Sequence, residues 1–194
     1  MTKLRATIVA TVMAVALVGG QAPAFAGGSP DNIVEVRNTK DGAFKAKSRA
    51  VVTHAPGGTV GNNNVATAWA TCVGCRTTAA AVQVVIIEGS YSTFDPGNLA
   101  AAINDNCDTC ETFAFARQHF FDVGHPVPIG NRAEDQIDDI NDQMAQVIRS
   151  RDDFPTMVTE LDALTQALID VVRGEIDRSG SHQGEDDHRD VQEH

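Results

Sequence analysis

The sequence predicts an α+β fold from three observations: an Asp-Gly turn between two extended runs, a 35-residue internal repeat carrying two CxxC motifs, and two apolar stripes of helical spacing towards the C-terminus. In chain order these give an N-terminal β-hairpin, two CxxC-containing repeat units and an antiparallel helical hairpin. The expected segments are 1–26, 27–130, 131–178 and 179–194.

The first segment opens with Lys3 and Arg5, continues through an apolar run from Ala6 to Val18, and reaches Ala24-Phe25-Ala26 before Gly27-Gly28. That is the order of a secretory signal peptide cleaved after Ala26. The apolar run is shorter than the roughly 20 residues of a spanning helix. No second such run follows, and no cysteine near the cleavage site offers a lipid anchor, so the expected location is extracellular or associated with the cell envelope. Removing residues 1–26 takes away two positive charges and no acid, which moves the formal charge from -11 to -13. A chain this acidic repels nucleic acid and anionic headgroups, so neither is an expected partner.

In the next segment, Ile33, Val34 and Val36 lead into Asn38-Thr39-Lys40-Asp41-Gly42, and a mixed apolar and basic run resumes from Ala43 to Val52. Asp-Gly between extended runs predicts a hairpin. Pro56-Gly57-Gly58 and Gly61-Asn62-Asn63-Asn64 then break the chain.

The repeat follows. A shift of 35 superimposes Cys72-Val73-Gly74-Cys75 on Cys107-Asp108-Thr109-Cys110, and also matches Asn63 with Asn98, Ala66 with Ala101, Thr77 with Thr112, Ala79 with Ala114, Ala81 with Ala116, Gln83 with Gln118 and Gly89 with Gly124. The matched residues Cys75, Thr77, Ala79, Ala81 and Gln83 alternate as on a strand. They also admit a helix, because Cys72, Cys75, Ala79 and Gln83 share a narrow arc at 100° per residue and no Gly or Pro interrupts Cys75 to Glu88. Thr71 and Asn106, both good N-caps, precede the first cysteine of each motif, and helix is therefore favoured. The small residues Ala79, Ala81, Ala114 and Ala116 would let the two units approach closely.

From Ala133, the residues Ile137, Ile140, Met144, Val147 and Ile148 form one apolar stripe, and after the break at Arg151 to Pro155 a second runs through Met157, Leu161, Leu164, Leu168 and Val171. Two such helices joined by a short loop predict a helical hairpin. Two heptads are too few to argue for a coiled-coil dimer, so a monomer is expected. Residues 179–194 are acidic and nearly devoid of apolar side chains, which predicts a disordered tail. Its His182, His188 and His194 read as solvated polar residues rather than metal ligands.

The cysteines carry the chemistry. In an exported chain an even number of thiols points first to structural disulfides, and four cysteines allow three connectivities. Chain entropy values a bond within a motif at about 2 kcal/mol and one between repeats at about 4 kcal/mol. Proximity favours the local bond, though residues three apart on a helix hold their β-carbons about 5 to 6 Å apart, more than the roughly 4 Å a disulfide accepts. The local bond therefore needs a distorted first turn, which Gly74 could supply in the first repeat only. Thiol-disulfide exchange is the second chemistry, with a helix N-terminus lowering a thiol pKa, but Asp105, Asp108 and Glu111 would oppose a thiolate. The third is a zinc site of four thiolates, for which the 31 residues between motifs exceed the usual spacing. Structural disulfides through Cys72, Cys75, Cys107 and Cys110 are the preferred reading, with no cofactor.

HExxH, GxSxG and a Gly-rich phosphate loop are all missing from the sequence, which assigns no catalytic residue and makes a non-enzymatic role the expectation. His119 and His125, at the end of the second repeat, read as ordinary polar residues.

Asn38-Thr39-Lys40-Asp41-Gly42, the run Cys72 to Thr77 with Ala79, Ala81 and Gln83, and Asn98-Leu99-Ala100 with Cys107 to Thr112 together resemble a known set of motifs. From about Asp31 to Asp177 the chain is similar to the exported twin-CxxC region of actinobacterial secreted proteins, also found at the C-terminus of some peptide zinc metalloproteases of those bacteria. The peptidase chemistry there belongs to a membrane-embedded HExxH segment that this chain lacks. The resemblance therefore implies an extracytoplasmic accessory domain without protease activity. The expected function is a secreted structural or interaction module with an unidentified protein partner; an extracytoplasmic oxidoreductase and a zinc-stabilised binding domain are the alternatives.

Overall fold

The computed structural model describes residues 31–180 and 184–194. The expected signal peptide, its cleavage site and His182 lie outside the described residues. Eight strands come first: β1 Asn32–Asn38, β2 Phe44–Ala55, β3 Gly58–Val60, β4 Asn63–Ala70, β5 Arg76–Ile87, β6 Tyr91–Phe94, β7 Gly97–Asn104 and β8 Glu111–Asp122. They are followed by α1 Asn131–Val147, α2 Phe154–Ser179 and β9 Gly184–Glu193. The fold is α+β, with strands leading and a two-helix region behind them.

Hydrogen bonding joins each strand to the one a full circuit later. β1 pairs with β4 and β4 with β7; β2 pairs with β5 and β5 with β8; β3 pairs with β6; every one of these pairs is parallel. The chain thus winds as three rungs of a parallel β-solenoid. Asn32 sits beside Asn64 and Phe44 beside Arg76, an offset of 32, whereas Arg76 sits beside Glu111, the 35-residue period of the sequence. β4 meets β7 at an offset of 34, so Asn98 lies beside Asn64 and Ala101 beside Thr67, not beside Asn63 and Ala66. The internal repeat has a third copy, first in order, that lacks the cysteines.

Two expectations are corrected here. β1 and β2 do not form a hairpin, since they belong to different sheets and Asp41-Gly42 makes the corner between them. Gly42 has φ +64°, so the turn signal is real. A turn dipeptide cannot encode whether the strands it joins pair with each other or with the next rung. The repeat units, in turn, are strands and not helices. β5 is buried on both faces, so no polar side marks the pleat, and its alanines resemble helix formers. They act as spacers: Ala79, Ala81, Ala114 and Ala116 meet Val34, Val36, Ala66, Ala68, Ala100 and Ala102 between the two long sheets. Close approach through small residues does occur, between sheets. Thr71 and Asn106 lie in corners, Thr71 donating its N–H to Asn38 O at 2.9 Å and Asn106 adopting φ +48°.

Side-chain ladders run along this interior. Asn32 donates to Asn64 Oδ1 at 2.9 Å, Asn64 donates to Asn98 Oδ1 at 2.8 Å, and Gln118 donates to Gln83 Oε1 at 2.8 Å. The residues between the inward ones face the helices. Val82, Val84, Ile86, Phe113, Phe115 and Phe121 pack against Ile140, Met144, Met157, Leu161, Leu168, Ile169, Val172 and Ile176.

The helical hairpin forms as expected, with Arg132 and Gln136 of α1 beside Gly174 and Arg178 of α2. Asp153 caps α2 by accepting the Thr156 N–H at 2.8 Å, and Pro155 occupies the first turn. Leu164 and Val171 lean towards α1, while Thr165, Ile169, Val172 and Ile176 complete the sheet-facing side. The true period is that of a straight helix rather than a heptad. Among the described residues, no helix is long and apolar enough to cross a membrane.

The acidic tail is a third correction. Residues expected to be disordered form β9, antiparallel to β8 from Phe113 opposite Glu193 to Asp122 opposite Gly184. An edge strand contributes backbone and needs few apolar side chains, and without it β8 would present a row of unpaired N–H and C=O groups. The tail acids find cations: Asp187 pairs with Arg117 at 2.9 Å and Glu185 with Arg173 at 3.1 Å. Asp190 and Gln192 accept the N–H groups of Ala100 and Ala102, each at 2.8 Å, and so cover the edge of β7 too. At the opposite end of the second sheet, Asn141 of α1 exchanges two hydrogen bonds with the Ala50 backbone, at 2.7 and 2.9 Å.

Candidate functional site

The corner between β1 and β2 recurs between β4 and β5 and between β7 and β8. Each passes through a residue of left-handed conformation at the same place, Gly42 at φ +64°, Gly74 at +60° and Thr109 at +54°, and the last corner has a second one in Asn106 at +48°. Glycine adopts this freely, whereas an L side chain such as threonine is strained by about 1–2 kcal/mol. Backbone hydrogen bonds stack the corners, with Gly42 N–H donating to Val73 O at 2.9 Å and Gly74 N–H to Asp108 O at 2.8 Å. The Asp41 carboxylate accepts the Val73 N–H at 2.9 Å.

That stacking gathers all four cysteines. Cys72–Cys75 and Cys107–Cys110 are disulfides, with Cα separations of 6.0 and 5.9 Å. The four Sγ atoms all lie within 4.8 Å of one another, and Cys75 Sγ is 3.3 Å from Cys110 Sγ across the rungs. Cys72 and Cys75 are 3% and 2% exposed, while Cys107 and Cys110 are half-buried on the last rung. The larger loop entropy of bonds between repeats does not decide the pairing. That entropy acts in the unfolded chain, whereas the pairing follows where the folded corner holds the sulfurs. The left-handed corner, unlike a helical turn, also brings residues three apart within disulfide reach.

The surroundings differ from those of a reactive CxxC. The motifs sit in β-corners and not at helix N-termini, the setting in which a helix dipole acts on a CxxC pair. Asp105, Asp108 and Glu111 are exposed around the last corner, and Arg76, next to Cys75 in the chain, is paired with Glu111 at 2.9 Å. The 31-residue gap that argued against a shared metal site is one solenoid rung, which closes to contact distance in space.

His119 and His125 belong elsewhere, nine or more residues along β8 from Cys110, or roughly 30 Å at 3.3 Å per residue. Burial pushes the His119 imidazole below its ordinary pKa, opposed by the carboxylates of Asp187 at 3.5 Å and Glu185 at 3.7 Å. His125 is exposed, and its Nδ1 lies 3.1 Å from Pro126 O.

A basic cleft lies on the first rung, lined by none of the cysteines and outside the motifs of the sequence. Arg37, Lys45, Lys47 and Arg149 surround Val36 and Phe44, with Glu35 at the margin. Lys45, Lys47 and Arg49 occupy positions that face the interior on later rungs, where Thr77, Ala79 and Ala81 stand beside them. The alternation from Lys45 to Arg49 was the available signal.

Comparison with family models, with curated proteins and with solved structures finds no match.

Proposed function

We propose that this chain is an exported structural or interaction module, a short β-solenoid stapled at one corner by two disulfides. The observation that carries the reading is the pairing of all four cysteines in successive turns of the same corner. The leader-like order of residues 1–26 and the twin-CxxC order support placement outside the cytoplasm, where such bonds persist. The basic cleft around Phe44 offers a surface for an acidic protein partner.

Alkylation of the purified mature chain, with and without prior reduction, tests this by intact mass. The expected result is no alkylation before reduction and four adducts after it. Four adducts on the unreduced chain would overturn the disulfide reading, and recovery of an uncleaved chain from cells alone would overturn export. A second reading, thiol-disulfide exchange, draws support from the 3.3 Å approach of Cys75 to Cys110. Catalysis of insulin reduction by the chain would favour that reading.

A further inference from the structure

We infer that the stacked CxxC corners form a single four-sulfur site that binds one zinc ion when both disulfides are reduced. The inference rests on reading the four cysteines as one unit and adds a second state to it. A tetrahedral zinc tetrathiolate, with Zn–S bonds of about 2.3 Å, has sulfur-sulfur edges of about 3.8 Å. Here every pair of Sγ atoms already lies within 4.8 Å, and the Cys75–Cys110 contact across the rungs is 3.3 Å. Breaking the two bonds frees each pair of sulfurs to move apart to that edge length by side-chain rotation, while the corners stay held by the hydrogen bonds of Gly42 and Gly74. The ladder thus supplies in advance the positioning that zinc sites with shorter ligand spacing obtain from their own loops.

The setting also suits a cation. The inner pair is buried, and the outer pair opens to solvent at the last rung beside the exposed carboxylates of Asp105 and Asp108. Those acids draw in divalent cations and repel anionic thiols. An all-sulfur donor set selects zinc over magnesium or calcium. In the balance of the conversion, each disulfide takes two electrons and two protons from a dithiol reductant, which becomes a cyclic disulfide. The zinc ion then displaces the four thiol protons, leaving a site of net charge -2.

Cobalt(II) is the probe. The full chain is reduced with a phosphine, desalted without oxygen and titrated with cobalt. The expected result is one cobalt per chain with the visible bands of a tetrahedral tetrathiolate, bleached by one equivalent of zinc and absent from the oxidised chain. The double substitution C107S and C110S is expected to abolish the band. The inference is overturned if four titratable thiols give no such band, if the band survives that substitution, or if reduction unfolds the chain and zinc does not restore its circular dichroism. Failure here leaves the disulfide reading intact if the chain as purified resists alkylation; a chain purified with four free thiols and one zinc reverses that outcome.

Discussion

Asn64 donates its side-chain amide to the Asn98 oxygen on the next rung at 2.8 Å, while its own oxygen accepts from Asn32 on the rung before at 2.9 Å. The same amide reaches the carbonyls of Ala81 at 3.0 Å and Arg117 at 3.2 Å, so one buried side chain ties together three rungs and both long sheets. Replacing it by alanine strands these partners away from water, at about 1–3 kcal/mol for each group left unsatisfied. Asn64→Ala is expected to lower unfolding stability by about 3 kcal/mol in urea titrations of the oxidised chain. A loss well under 1 kcal/mol would show that water replaces the amide there.

The three left-handed corners make opposite predictions for glycine and threonine. Thr109→Gly is expected to stabilise by about 0.5–1 kcal/mol, because relief of φ strain exceeds the added freedom of the unfolded chain. Gly74→Ala is expected to destabilise by about 1 kcal/mol, since its β-carbon meets nothing closer than Thr109 Oγ1 at 3.7 Å and strain alone acts. Thermal unfolding of both variants checks the pair; shifts of the same sign contradict a shared corner conformation.

His119 makes stability depend on pH. It is buried beside Phe121, and desolvation holds its folded pKa below the unfolded one despite Asp187 and Glu185. The unfolded chain then binds more protons below about pH 6.5, so stability contributed above that pH is lost as pH falls towards the folded value. His119→Phe is expected to flatten the stability profile below about pH 6.5. An unchanged slope would mean that other groups carry it.

A lone thiol in the corner has a ready target. In Cys107→Ser, Cys110 is left free with its sulfur 3.3 Å from Cys75. Its thiolate is expected to attack Cys75 Sγ, forming Cys75–Cys110 and releasing Cys72 as the thiol. Peptide mapping after acid quenching reads the pairing, and an intact Cys72–Cys75 bond with free Cys110 would count against exchange between the rungs.

Removing residues 184–194 uncovers the outer edge of β8 and the N–H groups of Ala100 and Ala102. The truncated chain is expected to associate through that edge, read as a concentration-dependent mass by light scattering. A monomer at every concentration would show that the edge is otherwise protected.

What the sequence displays follows the range of the forces involved. Asp153, Pro155 and the Met157–Leu161–Leu168 spacing act within a few turns of one helix, so the helical pair is legible. The matched cysteines reveal the second and third rungs at once. The first rung stays hidden because Lys40 and Ala43 stand where cysteines recur later, and its offset is 32 rather than 35. Strand and helix compete for Cys75 to Gln83, since alanine suits both and burial of both faces erases the polar side that would decide. β9 is illegible for another reason: its role depends on a hydrogen-bonding edge created by residues some 70 positions earlier.

Lys45, Lys47 and Arg49 stand exposed on the first rung, while Asp105, Asp108 and Glu111 mark the last rung, with Glu185, Asp186 and Asp187 on the strand beyond it. The protein is therefore an electric dipole along the solenoid axis as well as an anion. Near a polyanionic surface its net charge of -11 sets how closely it approaches, but the dipole sets which end leads. The first rung turns towards the surface, and the sulfur corner of the last rung points out into the medium.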